Sequence, residues 1–175
     1  MNRRVEDAEI LSVVDSTDTV IDEKRRDEIH LQGLRHRAVH VLIFNSQGAI
    51  FLQKRGLDKQ ENPGMWDSSV AGHVDAGESY DECCVREIEE EVGLMLETVP
   101  PRLFKLEASD VTGMEFAWIY RVDTEKPLTP NLEEMSGGEW FYPTELDRWI
   151  ESGAEALSDV FCLIWQEYRE LKQPS

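Results

Sequence analysis

The sequence predicts an α/β sandwich, a mixed β-sheet with helices packed against it, and two observations carry that expectation. Strand-like runs recur through the middle of the chain, and capped helical segments are interleaved with them. Ala38 to Phe44 (AVHVLIF) and Ala49 to Lys54 (AIFLQK) are rich in β-branched and aromatic residues. Between them Asn45-Ser46-Gln47-Gly48 suits a tight turn, which predicts a hairpin. Trp66 to His73 (WDSSVAGH) reads as a strand entering a glycine-rich loop, while Glu115 to Val122 and Gly138 to Tyr142 read as further strands. Residues 9 to 22 (EILSVVDSTDTVID) place two short apolar runs around the turn-prone Ser16-Thr17-Asp18, so a small hairpin extension is expected ahead of the main body.

Three helices carry their own start and stop signals. Ser79 with Glu82 three residues on forms a capping box that opens a helix running to Val92 and ended by Gly93. Pro143-Thr144 opens a second, closed by Gly153, and Ser158 caps a third whose Val160, Phe161, Leu163, Ile164 and Tyr168 recur near helical spacing. The longest irregular stretch is Asp123 to Gly138, with Pro127 and Pro130.

At 175 residues and 41% hydrophobic content, one domain spanning residues 1–175 is expected. Against 18 basic residues stand 36 acidic ones, a net charge of −18 that repels phosphate backbones and anionic lipid headgroups. Nucleic-acid and membrane binding are therefore not expected as the main task. The opening MNRRVEDAEI lacks a signal-like apolar stretch and no window is long enough to span a membrane, so the cytoplasm is the expected compartment. Cys83, Cys84 and Cys162 are odd in number and lack metal-ligand spacing, and read as reduced packing residues. The N-terminal hairpin makes a homodimer plausible.

Within the Ser79 helix, Glu87, Glu90 and Glu91 stand at i, i+3 and i+4, so their carboxylates leave one face. Like charges so placed repel, and hard divalent cations such as Mg²⁺ or Mn²⁺ seek such oxygen ligands. Three spaced glutamates alone are more commonly a solvated face, because Glu is a good helix former. Arg86 can pair with Glu90 at i+4, as structural ion pairs also do.

The full run GHVDAGESYDECCVREIEEEVGL, residues 72 to 94, changes the odds, because it resembles the Nudix box. Gly72, Glu78, Arg86, Glu87, Glu90, Glu91 and Gly93 fill its fixed positions, with Ile88 and Leu94 at the aliphatic ones. With residues at roughly 7% each, a chance match is on the order of one in a hundred million per starting position. The resemblance implies a Nudix fold, a mixed β-sheet sandwiched between α-helices. It also implies hydrolysis of a nucleoside-diphosphate-linked or other small-molecule diphosphate with Mg²⁺ or Mn²⁺. Carried over by position, Glu87, Glu90 and Glu91 would be metal ligands, with Glu87 or a neighbour also handling the attacking water. Gly72 would offer its carbonyl to a metal, Arg86 would orient the carboxylates, and Glu78 would fix the loop.

The resemblance covers about residues 34 to 145. LRHRAVHVLIFN, LQKRG and PGMWDSSVAGHVDAGE look like the branch related to isopentenyl-diphosphate isomerase, which is the leading alternative. That enzyme uses a cysteine immediately before the Gly-His that corresponds to Gly72-His73, and this chain has Ala71, which can neither give nor take a proton. His36 and His73 match positions of the isomerase metal site, with His30 near a third and Glu115 near a glutamate, although histidines flanking strands are more often packing residues. A non-catalytic diphosphate-binding module would predict a broken box, and this box is whole.

Candidate phosphate contacts are Lys54 and Arg55, and Arg37; a solvated strand end accounts for the pair equally well. Trp66 and Trp118 can line a pocket or, as is commoner, the core. Glu133-Glu134 resembles the acidic loop that supplies a base or extra ligand in some Nudix enzymes, and Glu134 is kept as a candidate beside the reading of an exposed acidic turn.

Overall fold

The computed structural model describes residues 8–153 and 155–173. In chain order the described elements are β1 (Ile10–Val14), β2 (Val20–Arg25), α1 (Arg26–Gln32), β3 (His36–Phe44), β4 (Ile50–Arg55), β5 (Trp66–Asp67) and β6 (Val70–His73). There follow α2 (Tyr80–Val92), β7 (Arg102–Leu106), β8 (Glu115–Asp123), β9 (Met135–Phe141), α3 (Pro143–Glu151) and α4 (Asp159–Lys172).

Strand β3 is the axis of the main sheet, and its side chains are buried along nearly its whole length, as a strand covered on both faces requires. Val39, Val41 and Ile43 face one layer, where Cys83, Cys84, Ile88 and Val92 of α2 pack on them. The alternate residues Ala38, Leu42 and Phe44 face Leu146 of α3 and Phe161, Ile164 and Trp165 of α4. The expected sandwich is thus present, with helices on both faces of a mixed sheet. Strand β8 runs parallel to β3 over its full length, and the other pairs in the sheet are antiparallel.

The second edge of β3 is shared. Its end pairs with β4 at Ile43 and Phe44, while Ala38 to Val41 pair with β6, and β4 turns away to pair with β5 at Gln53 and Lys54. The sheet therefore forks. At the parting point Ser69 Oγ accepts the Ile43 N–H at 2.8 Å and donates to the Phe51 carbonyl, filling in for a ladder bond. This fork breaks the single strand expected over Trp66 to His73 into β5 and β6, because Ser68 and Ser69 spend their side chains on His40 and on the parted strands.

Other departures have similarly local causes. Helix α1 has seven residues and a single buried apolar one, Ile29, too few to show a period. Strand β7 follows two prolines and buries fully only Leu106. Strand β9 begins at Met135, three residues before the expected Gly138. All three expected helices form, and Ser79 and Glu82 make the predicted reciprocal capping box.

One carboxylate anchors the turn of the N-terminal hairpin of β1 and β2. Asp18 sits at its turn with φ of 61°. Its side chain accepts from Arg37 Nε at 2.6 Å, Tyr80 hydroxyl at 2.8 Å and Lys105 Nζ at 2.5 Å. Burial alone would raise the Asp18 pKa, but the bonds from Lys105, Arg37 and Tyr80 together hold it below the usual carboxylate value. Because the folded pKa is depressed, this stabilisation is full above the ordinary value of about 3.9 and fades as pH falls through the folded pKa. Asp18→Asn is expected to lower the unfolding free energy at pH 7 by about 1–3 kcal/mol. Urea denaturation should show that difference, and the gap should shrink toward pH 3.

Candidate active site

The box residues assemble around Arg86. Its guanidinium takes Glu78 in a two-pronged pair, Nε to Oε1 at 2.7 Å and the second amino group to Oε2 at 2.9 Å. It reaches Glu87 at 2.8 Å, Glu90 at 3.3 Å and the His73 carbonyl at 3.2 Å. Glu78 in turn accepts the Asp75 N–H at 3.0 Å, which ties the loop before α2 to the same network. One arginine thus holds three carboxylates and a strand carbonyl.

Helix α2 lies so close to β6 that a side chain at position 72 would displace Glu87. A Cβ there would fall 2.1 Å from Glu87 Cδ and 2.6 Å from its Cγ. The approach brings the Gly72 backbone against the Glu87 carboxylate. Glu91, 8% exposed, accepts from Gln53 Nε2 at 3.0 Å and from the Ala71 N–H at 3.3 Å. Burial pushes Glu87 up to about 8, and the Glu90 charge adds to the shift against the pull of Arg86. Burial also raises Glu91 well above its ordinary value, with the nearby Glu87 charge acting the same way. Buried carboxylates this crowded fit a bound cation and are costly without one.

These groups open on one cavity of about 390 Å³, which Gly72, Glu87, Glu90, Glu91, Arg86 and Glu134 all line. Arg55 also lines it, 3.7 Å from Asp67 and donating to the Glu61 carbonyl at 2.9 Å. The other sequence candidates lie elsewhere. Arg37 is spent on Asp18, and Lys54 is exposed, with its Nζ 5.4 Å from the Trp66 ring centre. Trp66 packs on Phe141 and Trp118 lies beneath Arg102, and neither lines the cavity. Glu78 acts through Arg86. Lys59 and Arg26 line the cavity and were not singled out by sequence, and Lys59 pairs with Glu134 at 3.1 Å between two loops. No local signal marks them, since both sit in charged runs.

A second cluster reaches the cavity through His73 and Glu115. Ring centres of His30, His36 and His73 lie 5.1 to 5.3 Å apart. Glu115 approaches His73 Nε2 at 2.8 Å and His36 Nε2 at 3.4 Å. One donor atom from each of the four lies within 4.8 Å of the others. The register explains the meeting, because His36 pairs with Glu115 across β3 and β8 and His73 pairs with Ala38 across β6 and β3. His30 arrives from α1. Burial drives His73 down to about 4 despite its bond to Glu115, and burial lowers His30 as well. Burial also opposes charge on His36, but Glu115 outweighs it and raises the pKa. Among the described residues the Nε2 atoms of His30 and His36 are buried without hydrogen-bond partners, and the lowered pKa of His30 suits a neutral imidazole able to ligate a metal ion, whereas Glu115 favours charge on His36.

Comparison with known proteins agrees with this architecture. The NUDIX domain family matches residues 34–162. An uncharacterized Nudix hydrolase of Nostoc sp. is 34% identical over 171 residues, covering 94% of this chain and 98% of that protein. An isopentenyl-diphosphate Delta-isomerase of Serratia proteamaculans is 36% identical over 115 residues, covering 64% of each. The crystal structure of a Deinococcus radiodurans protein superposes with a TM-score of 0.81 at 28% identity, covering 91% of this chain and 98% of that one. The chain belongs to the Nudix hydrolase family, enzymes that act on pyrophosphate bonds. No described helix is long and apolar enough to cross a membrane.

Gly72→Ala should retain the far-UV circular dichroism of the fold while losing about 1–3 kcal/mol of stability through overpacking against Glu87. Unchanged stability on chemical denaturation would mean that Glu87 stands clear of β6.

Proposed function

We propose that the protein is a divalent-metal-dependent hydrolase of a nucleoside-diphosphate-linked or other small-molecule diphosphate. The observation that carries this reading is the clustering of Glu87, Glu90 and Glu91 beside Gly72 at one cavity, with Arg86 fixing two of them. Glu87, Glu90, Glu91 and the Gly72 carbonyl would hold Mg²⁺ or Mn²⁺. Bound there, the ion would neutralise phosphate oxygens and lower the pKa of water. Arg86 keeps the carboxylates apart and aimed, and Glu87 stands as the group to accept the proton of the attacking water. Arg55 and Lys59 offer positive charge to the substrate phosphates inside a lining otherwise dominated by carboxylates. The lining includes no Phe, Tyr or Trp among the described residues, so the organic part of the substrate is held by polar contacts rather than by stacking. The three free thiols fit a cytoplasmic protein.

The cluster of His30, His36, His73 and Glu115 supports a second metal centre in the same reading, with a nitrogen-rich donor set suited to Zn²⁺ or Mn²⁺ rather than Mg²⁺. The same cluster, together with the relative named as an isopentenyl-diphosphate isomerase, favours the isomerase as the second reading. Ala71 weighs against it, because no proton-transferring side chain occupies that place on β6.

A panel of nucleotide sugars, dinucleoside polyphosphates, nucleoside triphosphates and prenyl diphosphates with Mg²⁺ and Mn²⁺ should reveal phosphate-releasing turnover. Proton NMR of isopentenyl diphosphate should show no dimethylallyl product, and its appearance would overturn the hydrolase reading. Glu90→Gln should lose at least about 100-fold in kcat with its thermal midpoint kept, a magnitude in the range of lost electrostatic stabilisation. For the second centre, His36→Ala should abolish tightly bound zinc measured by elemental analysis after dialysis against Zn²⁺. Equal zinc content in parent and variant would remove His36 from any metal centre.

A further inference from the structure

We infer that Gln53 is a positioning residue for the Glu91 carboxylate, fixing which of its two oxygens faces the metal site. The inference rests on the reading of Glu91 as a metal ligand. Gln53 lies on β4 and is 3% exposed, a polar side chain that follows the buried run Ile50, Phe51 and Leu52. A buried amide is retained at such a place only when its hydrogen bonds are met. Its Nε2 donates to Glu91 Oε2 at 3.0 Å, and the Ala71 N–H donates to the same oxygen at 3.3 Å.

The two donors come from opposite arms of the fork. Gln53 pairs with Asp67 across β4 and β5, and Ala71 pairs with His40 across β6 and β3. The Ala71 N–H points away from β3, and the carboxylate supplies the acceptor that a neighbouring strand would have given. Two donors on Oε2 leave Oε1 as the oxygen free for another partner, and Glu91 lines the cavity. Without the Gln53 amide the carboxylate keeps a single, longer bond and is free to rotate, so its ligand oxygen is no longer set in advance. Outer partners of this kind commonly govern metal affinity as strongly as the ligands do.

Three variants of the full-length chain test this, each built on a His36→Ala parent so that the imidazole cluster takes up none of the probe, with Mn²⁺ alone as the probe and free Mn²⁺ read by electron paramagnetic resonance. Gln53→Met keeps the volume and removes the donor, and should weaken Mn²⁺ binding about 10-fold or more. Gln53→His places a ring N–H near the position of the lost amide, and should restore affinity to within about threefold. A purely packing role predicts the opposite order, since Met replaces Gln in a core better than His does. If Gln53→Met fails to fold, Gln53→Ala carries the same expectation. Mn²⁺ affinity within twofold of the parent in the donor-less variant overturns the inference. Glu91→Gln separates this from the underlying reading. If it loses Mn²⁺ while Gln53→Met does not, Glu91 remains a ligand and Gln53 has no positioning role. If Glu91→Gln binds Mn²⁺ as the parent does, the ligand assignment falls and the inference falls with it.

Discussion

Where β3 and β4 part company, the main sheet opens a gap that its own backbone bonds do not cross, and the carboxylate of Glu91 bridges it. Gln53 on one arm and the Ala71 N–H on the other both terminate on Glu91 Oε2. Ser69 closes the vertex of the same fork. The cavity, the close approach of α2 at Gly72 and the reach of Arg86 all depend on this opening. A fully paired sheet would leave no place for a helix-borne carboxylate between strands. The constraint is electrostatic as much as geometric: a buried carboxylate must be given donors or a cation, and this one has two donors.

The parts legible in the sequence were those whose information is local. Ser79, Glu82 and Gly93 bound α2 with their own side chains and backbone, and Pro143 and Ser158 begin α3 and α4 in the same way. The box is a local pattern too, and it brings Glu78, Glu87 and Glu90 together around Arg86. Arg37 and Lys54 did not reach the cavity, because alternation fixes the face of a strand and not the partner a long cation will find. Asp18, distant in sequence from Arg37, captures that arginine. The fork was illegible for a related reason. WDSSVAGH reads as one strand, and only the competing pairing of β4 and β3 shows why it must break at Ser68-Ser69. Gln53 carried a weak signal, a lone polar residue after three apolar ones, with nothing to say what it would meet.

The two acidic and imidazole clusters meet along a single short strand. Gly72 serves one and His73 the other, since successive residues on β6 face opposite sides of the sheet. Gly72 must lack a side chain so that Glu87 can approach, while His73 must keep its ring toward Glu115. Carboxylates thus gather on one side and imidazoles on the other. A relative named as an isomerase and another named as a hydrolase both resemble this chain.

The docked hairpin also bears on how the fold is closed. Leu11 bridges to Asp75 in the loop before α2, and the Ala76 N–H donates to the Ile10 carbonyl. Asp18 waits for Lys105, 87 positions later in the chain. Arg37 lies near in sequence, but Tyr80 and Lys105 reach the same carboxylate from 62 and 87 positions away, so the hairpin's full set of contacts waits on long loops. Closing so long a loop is among the slower steps available to a small domain. The hairpin that braces the loop before α2 is thus completed only when Tyr80 and Lys105 have reached it.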